Sequence, residues 1–518
     1  NVSATEQGNG GRAIVWSEMD TRFAGTVLAR GGAQGGDGGF VEVSSGEHLG
    51  FRGNVNAGAP NGAAGTLLLD PKNIDVNDTG GAALGGNNLF TDDPTGNSII
   101  FATGAGSISA QTANVLLQAH NDITFSSPVN ITNAGTTLTA QAGRSILVNA
   151  SIATSNANIT LIANDPGANP LNRDAGAGGI TLAALTTINA GTGTITLSAG
   201  SGIFTNNAGA GALMAGRWLV YSADPGALGE NRGGLAFDFK RYNCTLIGGC
   251  LTAGTSIPGT GDGFLYSIAP TLVIGADAKS PVYGTAPVAL TFTSSGFIDG
   301  DTAGTALTGA LTRTTGLNST SLNEVVGTHP ITQGTLASAL GYQISYTGAN
   351  YVITARPLTV TYTGVNKGYD ANTTATVNTT DNRIAGDLFT INRTATFFPD
   401  ANAANNKTVN VTAVSLSTGD AANYSVAATG STTANITAKP VNLSGTRVYD
   451  GTVNFASGIL TITNTVLGQT LTLSGGPGTV PSANVATNQT LTVTALALVS
   501  GTGLASNYTL VGGTHTGT

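Results

Sequence analysis

Short runs of alternating apolar and polar residues recur through residues 107–162, with almost no charge between them. One aliphatic series runs through Leu116/Leu117, Leu138 and Ile159/Leu161; a second links Ile123/Phe125 to Ile146/Val148, and a third links Val129/Ile131 to Ile152. The steps are 21 to 23 residues, and Asn, Gly, Ser or Thr separate the runs. Alternation at period two predicts strands with one buried face. Three strands per period predict a right-handed parallel β-helix, in which each coil stacks on the last and inward side chains form columns. A single coil buries too little apolar surface to offset the entropy of ordering its backbone. Coils are therefore stable only when stacked, and an elongated rod is expected.

The pattern extends in both directions. Ala13 to Trp16 and Phe40 to Val43 alternate as strands between glycine-rich corners, and Ile180/Leu182, Ile188, Ile195/Leu197 and Ile203/Phe204 resume the series downstream. The β-helix is read over residues 1–204, with loops extruded near 80–97 and 164–179, where Gly, Asn, Asp and Pro interrupt the columns. Bulky residues then replace the aliphatic ones, in Arg217-Trp218-Leu219-Val220-Tyr221-Ser222 and at Phe237, Phe239 and Tyr242. A rod end exposes strand edges that must be covered, so residues 205–270 are read as a cap and hinge.

Beyond residue 271 the spacing changes to longer repeats, expected at 271–355, 356–438 and 439–518. Ala355-Arg356-Pro357-Leu358 matches Ala438-Lys439-Pro440-Val441, and Lys367-Gly368-Tyr369-Asp370 matches Arg447-Val448-Tyr449-Asp450. Thr408 to Ala413 matches Thr490 to Ala495, and Asn423-Tyr424 matches Asn507-Tyr508. The first unit carries its own Val282-Tyr283-Gly284 and Gly341-Tyr342. Short alternating strands at this spacing predict small β-sandwich or β-grasp-like modules joined by short linkers that proline stiffens. The second unit reads Tyr369-Asp370-Ala371 where the third has Tyr449-Asp450-Gly451, so its turn is expected to differ, because only Gly takes positive φ without cost.

Composition supports order and narrows function. Hydrophobic residues make up 40% of the 518-residue chain and charged residues 9%, with 74 glycines and a net charge of −8. That is a β-rich, turn-rich, all-β balance and not a disordered one. An acidic chain with 20 Lys and Arg spread along it has no basic face for nucleic acid. No apolar run reaches 18 residues, so no membrane-spanning segment is read. The chain opens at Asn1 in strand-like sequence, which reads as a processed product or a fragment of a longer protein.

GGRAIVWSEMDTRFAGTVLARGGAQGGDGGFVEVSS followed by GTLLLDPKNI, and later WLVYSADP and GFLYSIAP, resemble the filamentous-haemagglutinin-type exoproteins of two-partner secretion, large bacterial surface adhesins built on β-helices. The Tyr449-Asp450-Gly451 unit resembles the YDG repeat domains, and the first unit resembles the glycine-rich MBG module that accompanies them. Together these point toward CdrA-like biofilm-matrix adhesins. The resemblance implies secretion through an outer-membrane two-partner-secretion transporter, a place at the cell surface or in the extracellular matrix, and attachment to exopolysaccharide or a cell-surface glycan.

Candidate chemistry is sparse. Cys244 and Cys250 lie six positions apart with Gly248-Gly249 between them, which suits a small-loop disulfide and an oxidising compartment; two reduced thiols are the alternative. Asp122 and Arg144 are about one coil apart, near His120, and read as an exposed ion pair. His48, His120, His329 and His515 are scattered and read as solvated turn residues. Asp299 and Asp301, with Asp37 or Asp262 among glycines, are the calcium candidates, although no stretch carries the spaced acids of a dedicated loop. Apart from calcium, no cofactor is read. The glycine run 31–39 has the composition of a phosphate loop but lacks the Lys-Ser/Thr and the helix. Trp218 and Tyr221 are either cap packing or a sugar-stacking platform. Asn-x-Ser/Thr triplets, as at Asn130 and Asn435, follow from composition. No paired carboxylates or nucleophile elbow appear, so the expectation is a non-enzymatic adhesin, with capture of a host protein through the extruded loops as the alternative.

Overall fold

The computed structural model describes residues 1–78, 98–226 and 230–518. The chain is nearly all-β and divides into two compact units. The first comprises residues 1–276, 291–312 and 333–348; the second comprises 277–290, 313–332 and 349–518. The boundary thus passes through the first module, whose segments are shared out between them.

The first unit holds the parallel β-helix. Its longest sheet has ten strands and begins with Arg12–Ser17, Phe40–Ser45, Thr66–Asp70 and Asn114–Ala119. Leu138–Ala142, Ile159–Ile162, Thr194–Ser198 and Arg217–Ser222 follow, all in parallel register. An eight-stranded sheet and a four-stranded sheet form the other walls. Inward positions stack as columns: Val41, Leu67, Val115, Leu138, Ile159 and Ile195 are aligned neighbours and all buried. Ile123, Ile146 and Ile180 form the matching column of the second wall. Each such side chain contributes about 1.5–3 kcal/mol on burial.

Polar side chains work between the coils. Asn114, Asn156 and Asn158 each accept a backbone N–H from a later coil, of Thr137, Thr192 and Thr194. Gln118 donates to Gln141 at 2.8 Å across the same gap. The glycine run 31–39 is part of a tight corner: a Cβ on Gly38 would lie 1.7 Å from the Ala57 carbonyl, and one on Gly65 would lie 2.0 Å from that of Gly39. Backbone rides on backbone there, so glycine is required. The loop expected near 80–97 lies outside the described residues. The loop at 164–179 folds back onto the coils, where Asp174 accepts from Asn121 at 2.8 Å and His120 accepts the Asn169 N–H at 3.2 Å. Leu171 at its tip is 91% exposed.

The long sheet does not stop at Phe204. Ile195 pairs with Trp218, and Val220 with Phe264, so the columns continue with aromatic residues. Strand order then inverts, and Gly263–Tyr266 lies between Arg217–Ser222 and Phe239–Tyr242. Gly263 permits this, since a Cβ there would meet the Phe239 ring at 2.2 Å. The first unit also contains a small sheet in which Thr271–Ala276 runs parallel to Gln343–Thr347.

The second unit contains the second and third modules, built from small mixed sheets. Thr390–Phe398, Ala404–Ser417 and Gly430–Thr437 form an antiparallel core in one; in the other, Asn442–Gly445 runs antiparallel to Leu460–Thr463 and parallel to His515–Gly517. Leu443, Phe455, Val480 and Leu491 fill the centre of the third module. The Pro-containing linkers are themselves strands: Arg356–Leu358 runs parallel to Tyr424–Val426, and Lys439–Pro440 to Tyr508–Thr509. Among the described residues no helix is long and apolar enough to cross a membrane.

Candidate functional site

The same arrangement of two tyrosines and one acceptor recurs three times among the described residues. In the first unit, Tyr242 and Tyr342 meet edge to face at 4.9 Å, and both hydroxyls donate to Asp301 Oδ2, at 2.7 and 2.8 Å. In the second unit, Tyr283 and Tyr424 meet at 5.5 Å and both donate to Asp387. Also in the second unit, Tyr369 and Tyr508 meet at 5.4 Å and both donate to Gln469 Oε1, at 3.2 and 2.7 Å.

Local sequence explains the repetition. The acceptors close the segments Ile298-Asp-Gly-Asp301, Ile384-Ala-Gly-Asp387 and Val466-Leu-Gly-Gln469. In each, the glycine has positive φ (Gly300 74°, Gly386 99°, Gly468 70°), and the chain turns so that its first residue donates a backbone N–H to the later tyrosine. Those bonds are Ile298 to Tyr342, Ile384 to Tyr424 and Val466 to Tyr508, at 3.0, 2.9 and 3.0 Å. In the second and third joints the asparagine before the later tyrosine adds a further clasp, whereas Tyr342 follows Gly341. Asn423 Oδ1 accepts the Val326 N–H at 3.0 Å, and Asn507 Oδ1 accepts the Ala403 N–H at 2.7 Å while its amide donates to Asn402.

In the second and third modules the turns that carry Tyr369 and Tyr449 are stapled by the basic residue two positions earlier. Lys367 bonds to Asp370 and to the carbonyls of Asn372 and Thr374, and Arg447 bonds likewise to Asp450 and the Asn454 carbonyl. The turn expected to change at Ala371 does not: Ala371 has φ 61°, against 72° at Gly451. The staple keeps the left-handed residue in place.

Electrostatics follow from burial. Burial raises the Asp387 carboxyl, but hydroxyls of Ser321, Tyr424, Tyr283 and Ser319 more than offset this and hold it below the usual range. Burial, then the nearby Asp387, push the Tyr424 phenol well up; burial is also the main cause that raises Tyr342, to about 12. These phenols stay protonated donors. Beside the first joint, Asp299 accepts from Arg232 and Lys240 at 2.7 Å each, and Lys240 lies 2.9 Å from Asp301. The two carboxylates offered as calcium ligands are therefore already paired with Arg232 and Lys240, and Asp301 also accepts from two phenols. Asp37 and Asp262 accept the backbone N–H groups of Ala63 and Trp218. No group of three His, Cys, Asp or Glu side chains among the described residues is placed to hold a metal.

The other candidates are also absorbed by structure. Trp218 and Tyr221 are 3% and 6% exposed, and Trp218 packs edge-on against Phe264 at 5.2 Å, so neither offers a face to a sugar ring. Cys244 and Cys250 form a disulfide, with Cys244 packed among Tyr221, Phe239 and Leu265. Arg144 holds Asp122 through two guanidinium nitrogens and also reaches the Ala175 carbonyl. The histidines are half-buried and partnered: His48 with Asp20 at 3.0 Å, His329 with Glu324 at 3.5 Å, His515 with the Leu510 carbonyl at 2.6 Å. Sequence reading missed the acceptor of each joint. Its one local signal is an aliphatic residue, a spacer, Gly and then Asp or Gln, which in the first module reads as a pair of acids around a glycine.

No curated protein matches the chain. Residues 272–352 match the MBG domain of the YGX type, and residues 354–434 and 432–517 each match the YDG domain. Domains of these kinds are found in adhesin-like surface proteins, and the C-terminal region of this chain fits an adhesin-like protein of repeat modules.

Proposed function

We propose that this chain is part of a secreted bacterial surface adhesin that attaches cells to one another or to matrix exopolysaccharide, without turnover. The observation that carries the reading is the tyrosine joint repeated along the segments matching MBG and YDG domains, the first of them reaching back to Tyr242. Each joint ties segments distant in sequence through paired hydroxyls and ring packing, which suits a protein that transmits tension. The disulfide supports folding in an oxidising compartment. Export through an outer-membrane two-partner-secretion transporter belongs to the same proposal, resting on the motif resemblance within residues 10–74.

Incubating the whole chain with matrix polysaccharides and with extracellular host proteins tests it. Retention on a polysaccharide, with no new reducing or unsaturated ends, is the expected result. Appearance of such ends would make the protein an enzyme. Binding to host protein alone, lost when residues 164–179 are deleted, would make it a capture protein that uses the loop carrying Leu171.

A further inference from the structure

The third module repeats the donor half of the joint and leaves it uncovered. Tyr242, Tyr283 and Tyr369 are 0%, 0% and 6% exposed in their joints, whereas Tyr449 is 64% exposed and its ring and hydroxyl meet no partner among the described residues. Its turn is nevertheless fully formed, with Arg447 stapled to Asp450 and Asn454 just as Lys367 is stapled to Asp370 and Asn372. The second element of the grip is present too. Thr408 aligns with Thr490, which places Asn484 at the position of Asn402 and Val485 at that of Ala403. In the closed joint, Asn402 and the Ala403 N–H clasp Asn507. In the third module, Asn484 and Val485 line one groove of about 470 Å³ together with Tyr449, Phe455, Gln489 and Thr518. Val485 is 85% exposed and Val448 89%.

We propose that this groove is the open half of a fourth joint, and that its occupant is a further YDG-type module. The required chemistry is specific. The occupant brings a tyrosine to meet Tyr449 edge to face, and an Asp or Gln placed after a left-handed glycine to accept both phenols. An asparagine next to the tyrosine receives the Val485 N–H and donates to Asn484. A second copy of this chain does not supply these groups, because its own Tyr342, Tyr424 and Tyr508 are already engaged. Ring packing and hydroxyl bonding on this pattern close the three existing joints, so the fourth needs no new principle of recognition.

The full chain extended behind Thr518 by a copy of residues 438–518 supplies the occupant. Tetranitromethane nitrates exposed tyrosine, and peptide mass spectrometry reads each site. In the unextended chain Tyr449 is expected to react and Tyr369 to resist. Extension should protect Tyr449 to the level of Tyr369, and Tyr508→Ala in the appended copy should restore its reaction, which mere continuation of the backbone would not do. A second extension with residues 355–437, whose tyrosine and acceptor are Tyr424 and Asp387, should protect equally. Nitration of Tyr449 that persists when either appended module is folded, as shown by protease resistance, overturns the proposal, as does protection that survives Tyr508→Ala.

Discussion

Tyr283 and Tyr424 cross at 74° with ring centroids 5.5 Å apart, and both donate to the carboxylate of Asp387, which is 3% exposed. Removing that acceptor takes the shared carboxylate from two buried hydroxyls, so that Tyr283 keeps Ser319 while the Tyr424 hydroxyl, which still accepts from the Ile384 N–H, loses the group it donates to. Asp387→Ala is expected to destabilise the second unit by about 3 kcal/mol, since an unsatisfied buried polar group costs about 1–3 kcal/mol. Asp387→Asn keeps an oxygen between the rings, as Gln469 does between Tyr369 and Tyr508, and should cost about 1 kcal/mol. Urea denaturation separates the two values. A double-mutant cycle with Tyr283→Phe and Tyr424→Phe should show coupling between the tyrosines, and purely additive losses would mean that the shared carboxylate does not link them.

Ala371 holds φ 61° where the third module has Gly451 at 72°. A left-handed non-glycine residue costs roughly 1–2 kcal/mol. Ala371→Gly should therefore stabilise the protein by about 1 kcal/mol, net of the extra freedom glycine gives the unfolded chain. Gly451→Ala should do the reverse, and through backbone strain alone, because a Cβ at Gly451 meets nothing within 4 Å. Thermal melts of the two variants with opposite shifts are the expected outcome, and equal shifts in one direction would show that the turn is not strained.

Much of the β-helix was legible because burial follows a period of two. The column Ile123, Ile146, Ile180 stands as the alternation reads it. One column was displaced: Leu138 pairs with Val115, and the neighbour of Leu117 is Ala140. Alanine fills a core position without marking it, so the pattern favours the nearest leucine instead. The end of the stack was placed too early for a related reason, since Trp218 and Phe264 occupy aliphatic columns with rings. The joints were not legible at all. Their partners lie roughly 40 to 100 positions apart in sequence. Their acceptors share only the preceding glycine and the aliphatic residue two positions before that glycine, and Asp301, beyond Asp299 and Gly300, looks like a metal site until Lys240 and Tyr242 are placed beside it.

The glycine corner of the β-helix gives a sharp contrast. A Cβ on Gly38 would sit 1.7 Å from the Ala57 carbonyl oxygen and 2.4 Å from the Gly65 nitrogen, both backbone atoms that cannot swing aside. Gly38→Ala must push neighbouring coils apart and break ladder bonds on both sides, at a cost of about 3 kcal/mol or more. Gly211→Ala places its methyl in open space and should lie within about 0.5 kcal/mol of the parent. Circular dichroism melts compare them, and similar melting temperatures would show that the coils have slack at this corner.

Glu230 should dominate the dependence of stability on pH in the mildly acidic range. Its side chain is 2% exposed, and Oε1 has no hydrogen-bond partner. Burial pushes its carboxyl up to about 7, against the lowering effects of Ser222 and Arg232. In the unfolded chain the same carboxyl titrates near the usual value, about 4.3. Below that value both states hold the proton and no stability is lost. Between it and about 7 the unfolded chain releases its proton while the folded chain keeps it, so stability falls as pH rises. The loss approaches about 4 kcal/mol above neutrality, at 1.36 kcal/mol per pKa unit. Asp381, Asp387 and Asp420 have the opposite sign, because their folded values are lowered: the stability they add is present at neutral pH and disappears only as pH falls below the ordinary carboxylate range. The two effects occupy different windows and are separable. Glu230→Gln is expected to raise the denaturation midpoint at pH 8, leave it nearly unchanged at pH 4.5, and abolish the slope between them. An unaltered slope in that variant would place the titration on another group.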